Sequence, residues 1–123
     1  MKKISKNEIT AVILAGGQAS RMDGEDKGLI VFRELPLIAH VVNITKLKVS
    51  RILISANRNF EEYANFGKVI SDDLEGYQGP LAGISKALKV CSTPYLLVLP
   101  CDSPLIDAAL IDSLIEKMEV SKV

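Results

Sequence analysis

The segment Ile9–Ala15 (ITAVILA) is apolar on both faces, rich in β-branched residues, and ends in two consecutive glycines, Gly16 and Gly17. A strand that does not alternate polar with apolar side chains is buried from both sides, as a central strand of a parallel sheet is. Parallel neighbours cannot be joined by a tight turn, so crossover helices have to follow. The rest of the chain supplies them. Leu29–Phe32 reads as a short extended piece within the first connection. Pro36 suits a first helical position, and Leu37, Val41, Ile44 and Leu47 then recur at helical spacing. Arg51–Ala56 reads as a second strand. Asn59 with Glu62 has the form of a capping box opening a short helix that Gly67 closes. Lys68–Ser71 is a brief third strand. Leu81, Ile84, Leu88 and Cys91 share one helical face, Tyr95–Leu99 is a fourth strand, and Ile111, Leu114, Ile115 and Met118 form the stripe of a last helix. The order predicts an α/β fold of three layers, Rossmann-like, with a mostly parallel sheet and helices on both faces.

A chain of 123 residues fits one domain and can bury a core without disulfides or metal staples. Fifteen basic residues balance fifteen acidic ones, so no global field favours nucleic acid or a membrane surface, and any bound anion must be held by local features. No apolar run approaches the roughly 20 residues that span a bilayer. The start, MKKISKNEIT, lacks the apolar stretch of a secretory signal. Cys91 and Cys101 follow no metal-ligand spacing and read as small buried residues of a reducing compartment, with cytoplasm as the expected location.

In an open parallel sheet ligands bind beyond the carboxyl ends of the strands. Here those ends run into Gly16-Gly17-Gln18-Ala19-Ser20-Arg21-Met22, Ser55-Ala56-Asn57-Arg58, Asp72-Asp73 and Cys101-Asp102-Ser103-Pro104, so four polar loops converge on one rim. Adjacent glycines let backbone N–H groups approach and cradle a phosphate chain, and Arg21 and Lys27 add two cations to the same loop. The spacing is neither a P-loop nor a dinucleotide fingerprint. A surface turn carrying two solvated cations is the plainer alternative. Asp102 can hold Mg²⁺ through an oxygen ligand or serve as a turn or N-cap residue, and Asp72 carries the same ambiguity. His40, the single histidine, reads as a packing residue in mid-helix, and Arg58, Lys86 and Lys89 read as solvated charges.

The chain resembles the molybdenum cofactor guanylyltransferases. The residues that carry the likeness are Leu14-Ala15-Gly16-Gly17 with Ser20-Arg21-Met22, Asp26-Lys27-Gly28, Ala56-Asn57-Arg58, Ile70-Ser71-Asp72, Gly79-Pro80-Leu81-Ala82-Gly83 and Pro100-Cys101-Asp102-Ser103-Pro104. The first of these marks the wider nucleotidyltransferase superfamily, whereas GPLAG with PCD-x-P favours the guanylyl branch. The resemblance implies a nucleotidyltransferase fold in which Leu14, Ala15 and Gly16 line the nucleotide site. It also implies that Lys27 contacts phosphate, Asp72 the nucleoside, and Asp102 both GTP and Mg²⁺. Gly17, Ser55, Gly79, Pro80 and Leu81 complete the candidate nucleotide contacts, although Ser55 stands where an asparagine is common in the family. Arg21, Lys27 and Asp102 are the candidate catalytic residues, with Asp102 as the metal ligand.

The implied reaction transfers GMP from GTP to molybdopterin and releases pyrophosphate, with other proteins of cofactor biosynthesis as possible partners. Family members run well past this length. Residues 1–123 are therefore expected to be the nucleotide-binding part of a single nucleotidyltransferase domain that lacks its C-terminal portion. Two alternatives stay open from sequence: a transferase of the same scaffold using CTP or a sugar phosphate, and a non-catalytic nucleotide-binding module.

Overall fold

A computed structural model describes residues 4–15, 21–22, 25–71, 80–103 and 106–121. In chain order the elements are β1 (Ile9–Leu14), β2 (Arg21–Met22), β3 (Glu25–Asp26), a 3₁₀ turn (Lys27–Leu29), β4 (Val31–Phe32), β5 (Leu35–Pro36), α1 (Leu37–Thr45) and β6 (Arg51–Ser55). There follow α2 (Phe60–Ala64), β7 (Lys68–Ile70), α3 (Pro80–Val90), β8 (Tyr95–Pro100) and α4 (Ala108–Ser121). The main sheet has the order β7-β6-β1-β8, with every pairing parallel. The expected α/β architecture and central position of the first strand are what the chain adopts.

Alternation along β1 divides the core. Ala11 and Ile13 face a large cluster with Ile54, Leu97 and Leu99, closed by Ile38, Val41 and Val42 of α1, Tyr63 of α2 and Ile111 of α4. Val12 faces the other side with Leu53, Ile70 and Ala87 of α3, beside the partly buried Leu14 and Leu96. Lys48, just past α1, is paired with Asp112 of α4 at 3.0 Å, which ties the two helices of the first layer at the surface. Truncating a buried residue of the large cluster, such as Ile13→Ala, should cost about 2–5 kcal/mol.

The helix ends and faces depart from the periodicity in instructive ways. Pro36 is not the first helical residue; it closes the hairpin β4–β5 and stands at the N-cap of α1. The helix stops at Thr45, whose hydroxyl donates back to the Val41 carbonyl at 2.6 Å. The chain must turn there to enter β6, so Leu47 lies outside the helix and is 64% exposed while Val49 takes the buried place. Among the described residues of α3, Ala82, Gly83 and Ala87 are buried, and Leu88 is 60% exposed. The helix meets the sheet through small side chains: a Cβ on Gly83 would collide with the Ser55 hydroxyl and lie 3.2 Å from Leu14 Cδ2. Such close approach leaves no room for the expected Leu88 stripe, and Cys91 lies beyond the helix, half-buried, with its thiol donating to the Thr93 carbonyl. The last stripe holds for Ile111, Leu114 and Ile115; the Met118 side chain lies outside the described residues. His40 is the packing residue expected, edge-on to Phe32 and bonded through Nε2 to the Phe32 carbonyl at 2.5 Å.

Candidate functional site

Because the four strands are parallel, their carboxyl ends share one rim. From β1 the chain crosses to β6 and β7 on one side, then returns past β1 to form β8 on the other. The strand order therefore reverses between β1 and β8, the point at which an open α/β sheet leaves a crevice for ligand. Leu14 and Pro100 are register partners on either side of it. Ala15 and Cys101 follow directly, and Asp102 comes next. The main chain is secured on the β6 side, where the Ala15 N–H donates to the Ser55 carbonyl at 2.8 Å.

Lys27 and Asp102 are brought together at this rim, although they come from the first connection and from the far side of the sheet. The Lys27 Nζ lies 3.9 Å from Asp102 Oδ2, and each side chain is 34% exposed. The pair is loose enough for both groups to engage a ligand, and an exposed pair of this kind adds little stability. Gly28 makes the approach possible. A Cβ there would lie 3.1 Å from the Tyr63 hydroxyl and 3.2 Å from both Cβ and Sγ of Cys101. With glycine at this position the turn seats against the end of β8 without pressing on those neighbours.

Beneath the turn is a charge network that the sequence alone did not expose. Asp26 has a wholly buried side chain whose Oδ1 is paired with the Arg58 guanidinium and whose Oδ2 accepts from Asn59 Nδ2 at 2.6 Å. Arg58 is thus no solvated charge. Asn59 does not form the expected capping box: it takes a left-handed conformation (φ 54°), makes no side-chain cap bond, and spends its amide on Asp26. Buried carboxylates need such partners. The hint in the sequence was an acidic residue in a glycine-rich loop with no local cation at helical spacing. Burial pushes the Tyr63 hydroxyl above its ordinary range, reinforced by the neighbouring Asp26 carboxylate. That hydroxyl has no hydrogen-bond partner among the described residues. Burial, with Asp102 next, pushes the Cys101 thiol up to about 12.

The remaining candidates are placed as follows. Leu14 and Ala15 end β1 at the crevice. Ser55 is buried at the end of β6 with its hydroxyl turned against Gly83 of α3. Arg21 is paired through its backbone with Asp26 in the small β2–β3 ribbon. Pro80 and Leu81 open α3. Gly16, Gly17, Asp72 and Gly79 lie outside the described residues. Among the described residues no group of three or more His, Cys, Asp or Glu side chains could enclose a metal, and no helix is long and apolar enough to cross a membrane.

Together, the sheet order and the charged pair at its reversal point define an open α/β domain with a polar crevice at the carboxyl rim of its sheet. The chain belongs to the family described as the MobA-like NTP transferase domain, which matches residues 11–123. It is 51% identical over 117 residues to a molybdenum cofactor guanylyltransferase of Polynucleobacter asymbioticus, covering 94% of this chain and 59% of that protein. It is 50% identical over 113 residues to a protein of the same name from Shewanella sediminis, covering 91% and 58%. The chain thus spans about three fifths of the length of these relatives. A solved CMP:2-keto-3-deoxy-manno-octonic acid synthetase, complexed with CTP, superposes with a TM-score of 0.73 at 20% identity, covering 94% of this chain and 48% of that one. That likeness is one of fold.

Proposed function

We propose that these residues form the nucleotide-binding part of a cytoplasmic molybdenum cofactor guanylyltransferase, which transfers GMP from GTP to molybdopterin. The observation that carries this reading is the meeting of Lys27 and Asp102 at the strand-order reversal, 3.9 Å apart and both reachable from solvent. Half-identity to the named guanylyltransferases supports the choice of nucleotide and acceptor.

In this reading a terminal phosphate oxygen of molybdopterin attacks the α-phosphate of GTP in line, and pyrophosphate leaves. Little covalent chemistry falls to the protein, so its task is positioning and charge neutralisation. Lys27, with Arg21 and the amides of the Gly16-Gly17 loop, holds the β- and γ-phosphates. Leu14 and Ala15 line the nucleotide, with Ser55, Asp72 and Gly79-Pro80-Leu81 as further contacts. Asp102 fits Mg²⁺: it offers a hard oxygen ligand on an accessible side chain, and a single carboxylate suffices for an ion that keeps several waters and takes substrate phosphates. When bound there, Mg²⁺ would offset charge on the phosphate oxygens. The residues complementing the pterin side are proposed to lie in the part of the longer proteins that this chain does not span.

The test is equilibrium binding of GTP and CTP, with and without Mg²⁺, to the wild type and to Asp102→Ala. The expected result is selective GTP binding that weakens when either Mg²⁺ or the carboxylate is removed. A CTP preference would move the chain to a neighbouring transferase branch, and binding indifferent to both Mg²⁺ and Asp102 would point to a non-catalytic module. In a full-length guanylyltransferase, Lys27→Ala is expected to slow transfer by about 10²-fold, as the loss of one positioned charge donor does.

A further inference from the structure

We infer that Asp26, Arg58 and Asn59 form a positioning clamp that aims Lys27 at the phosphate-binding rim beside Asp102, an inference that rests on the role given to Lys27 above. Asp26 stands at the N-cap of the 3₁₀ turn Lys27–Leu29, yet its side chain makes no cap bond to that turn. Its carboxylate is turned inward instead and is wholly buried, with one oxygen on the Arg58 guanidinium and the other on the Asn59 amide. Two consecutive residues of a distant connection reach the same carboxylate because Asn59 adopts a left-handed conformation that asparagine tolerates better than most residues. On the other side of Lys27, Gly28 is seated closely against Tyr63 and Cys101, where an added Cβ would lie 3.1–3.2 Å from their atoms.

Lys27 is therefore flanked by two fixed neighbours while its own side chain stays a third exposed, 3.9 Å from Asp102. A lysine is a point charge on a flexible four-carbon stem, so its aim is governed by how firmly its base is held. Asp26, Arg58 and Asn59 act through Lys27 and are positioning residues.

Two measurements on this chain test the clamp. The first is zero-length carbodiimide coupling. Activation of the Asp102 carboxylate and attack by the Lys27 amine give an isopeptide with net loss of water, read by mass spectrometry after digestion. The second is GTP affinity. Asn59→Gly deletes the amide but keeps the left-handed backbone accessible, so the fold is retained; Arg58→Ala removes the guanidinium and Arg58→Lys restores the charge alone. The clamp predicts that Asn59→Gly and Arg58→Ala lower the Lys27–Asp102 cross-link at least about threefold and weaken GTP binding about 5- to 10-fold, with partial rescue by Arg58→Lys.

A double-mutant cycle separates positioning from general support. In a Lys27→Ala background Asn59→Gly should weaken GTP binding by less than about twofold, because residues acting as one unit are not additive. Folded variants with wild-type cross-linking and GTP affinity would overturn the clamp, as would effects that simply multiply with Lys27→Ala. If Lys27→Ala leaves GTP binding unchanged, or the chain binds no GTP, the phosphate role of Lys27 falls, and the cross-link yield alone still decides whether the clamp aims the side chain.

Discussion

The two rims of the main sheet are built from different chemistry. At the amino rim, neutral groups close on one another. The Thr10 and Thr93 hydroxyls lie 2.7 Å apart, Thr93 donates to the Tyr95 carbonyl at 3.0 Å, and Ser50 donates to the Ile9 carbonyl at 3.1 Å. At the carboxyl rim the side chains are charged. Asp26 is buried on Arg58 and Asn59, and Lys27 faces Asp102 without closing on it. Neutral hydrogen bonds of the first kind secure strand ends and contribute about 1 kcal/mol each. Charges of the second kind are a poor means of gaining stability. The buried carboxylate and the loose ion pair both lie at the carboxyl rim, where the strand order reverses.

This contrast should survive or fail under substitution. The largest effect is expected for Asp26→Ala, which leaves Arg58 without its buried carboxylate and should cost about 3–5 kcal/mol in urea unfolding. Asp102→Ala, a few residues away in space, should change stability by less than about 0.5 kcal/mol, so the same rim would contain one charge for folding and one for ligand. Equal losses for both would erase that division.

A second test uses pH. Cys101 and Tyr63 are both held neutral by burial, with pKa values raised above those of the unfolded chain. Stability from a raised acid is complete below its unfolded pKa and is lost as pH climbs through the folded one. Unfolding free energy should therefore hold up to about pH 9 and fall steadily toward pH 12, the span between the ordinary thiol value and that of Cys101. Cys101→Ala should flatten the fall, and an unchanged slope would count against the burial. The thiols should also separate by alkylation at pH 8. Burial raises the Cys91 thiol, but hydrogen bonds with Thr93 outweigh it and leave the value lowered. Cys91 should react at least about tenfold faster than Cys101.

On the amino rim, Thr10→Val should cost about 1 kcal/mol and leave GTP affinity unchanged, since it removes one neutral hydrogen bond far from the crevice. A loss of nucleotide binding there would break the contrast from the other side. The smallest change lies off both rims. Arg33 and Glu34 occupy positive φ in the β4–β5 hairpin, a geometry that suits Asn-Gly. Replacing the pair by Asn-Gly should raise stability by up to about 1 kcal/mol with no effect on ligand.

Much of the fold was legible because hydrophobic pattern reports burial directly. ITAVILA could only be a strand covered on both faces, and the following apolar runs alternated between strand and helix lengths. What the pattern could not report was how closely two elements approach. Ala82, Gly83 and Ala87 bring α3 down onto the sheet and displace Leu88 to solvent, and the back-bonded Thr45 ends α1 before Leu47. Lys27 and Asp102 were nameable from sequence because each follows a glycine-rich or strand-terminal pattern that offers charge to a rim. Arg58 and Asn59 were misread because local spacing says nothing about a buried carboxylate from another connection.

The sequence by itself determined the class of fold and the polar loops gathered at the strand ends, since burial period and strand-end chemistry are local properties of the chain. Only the tertiary structure decided the order β7-β6-β1-β8, which puts the reversal between β1 and β8. It alone brought Lys27 to Asp102 and closed Arg58 and Asn59 on Asp26. Charges acquire their roles from neighbours distant in sequence, and whether a carboxylate is solvated, paired or clamped is fixed only when those neighbours arrive.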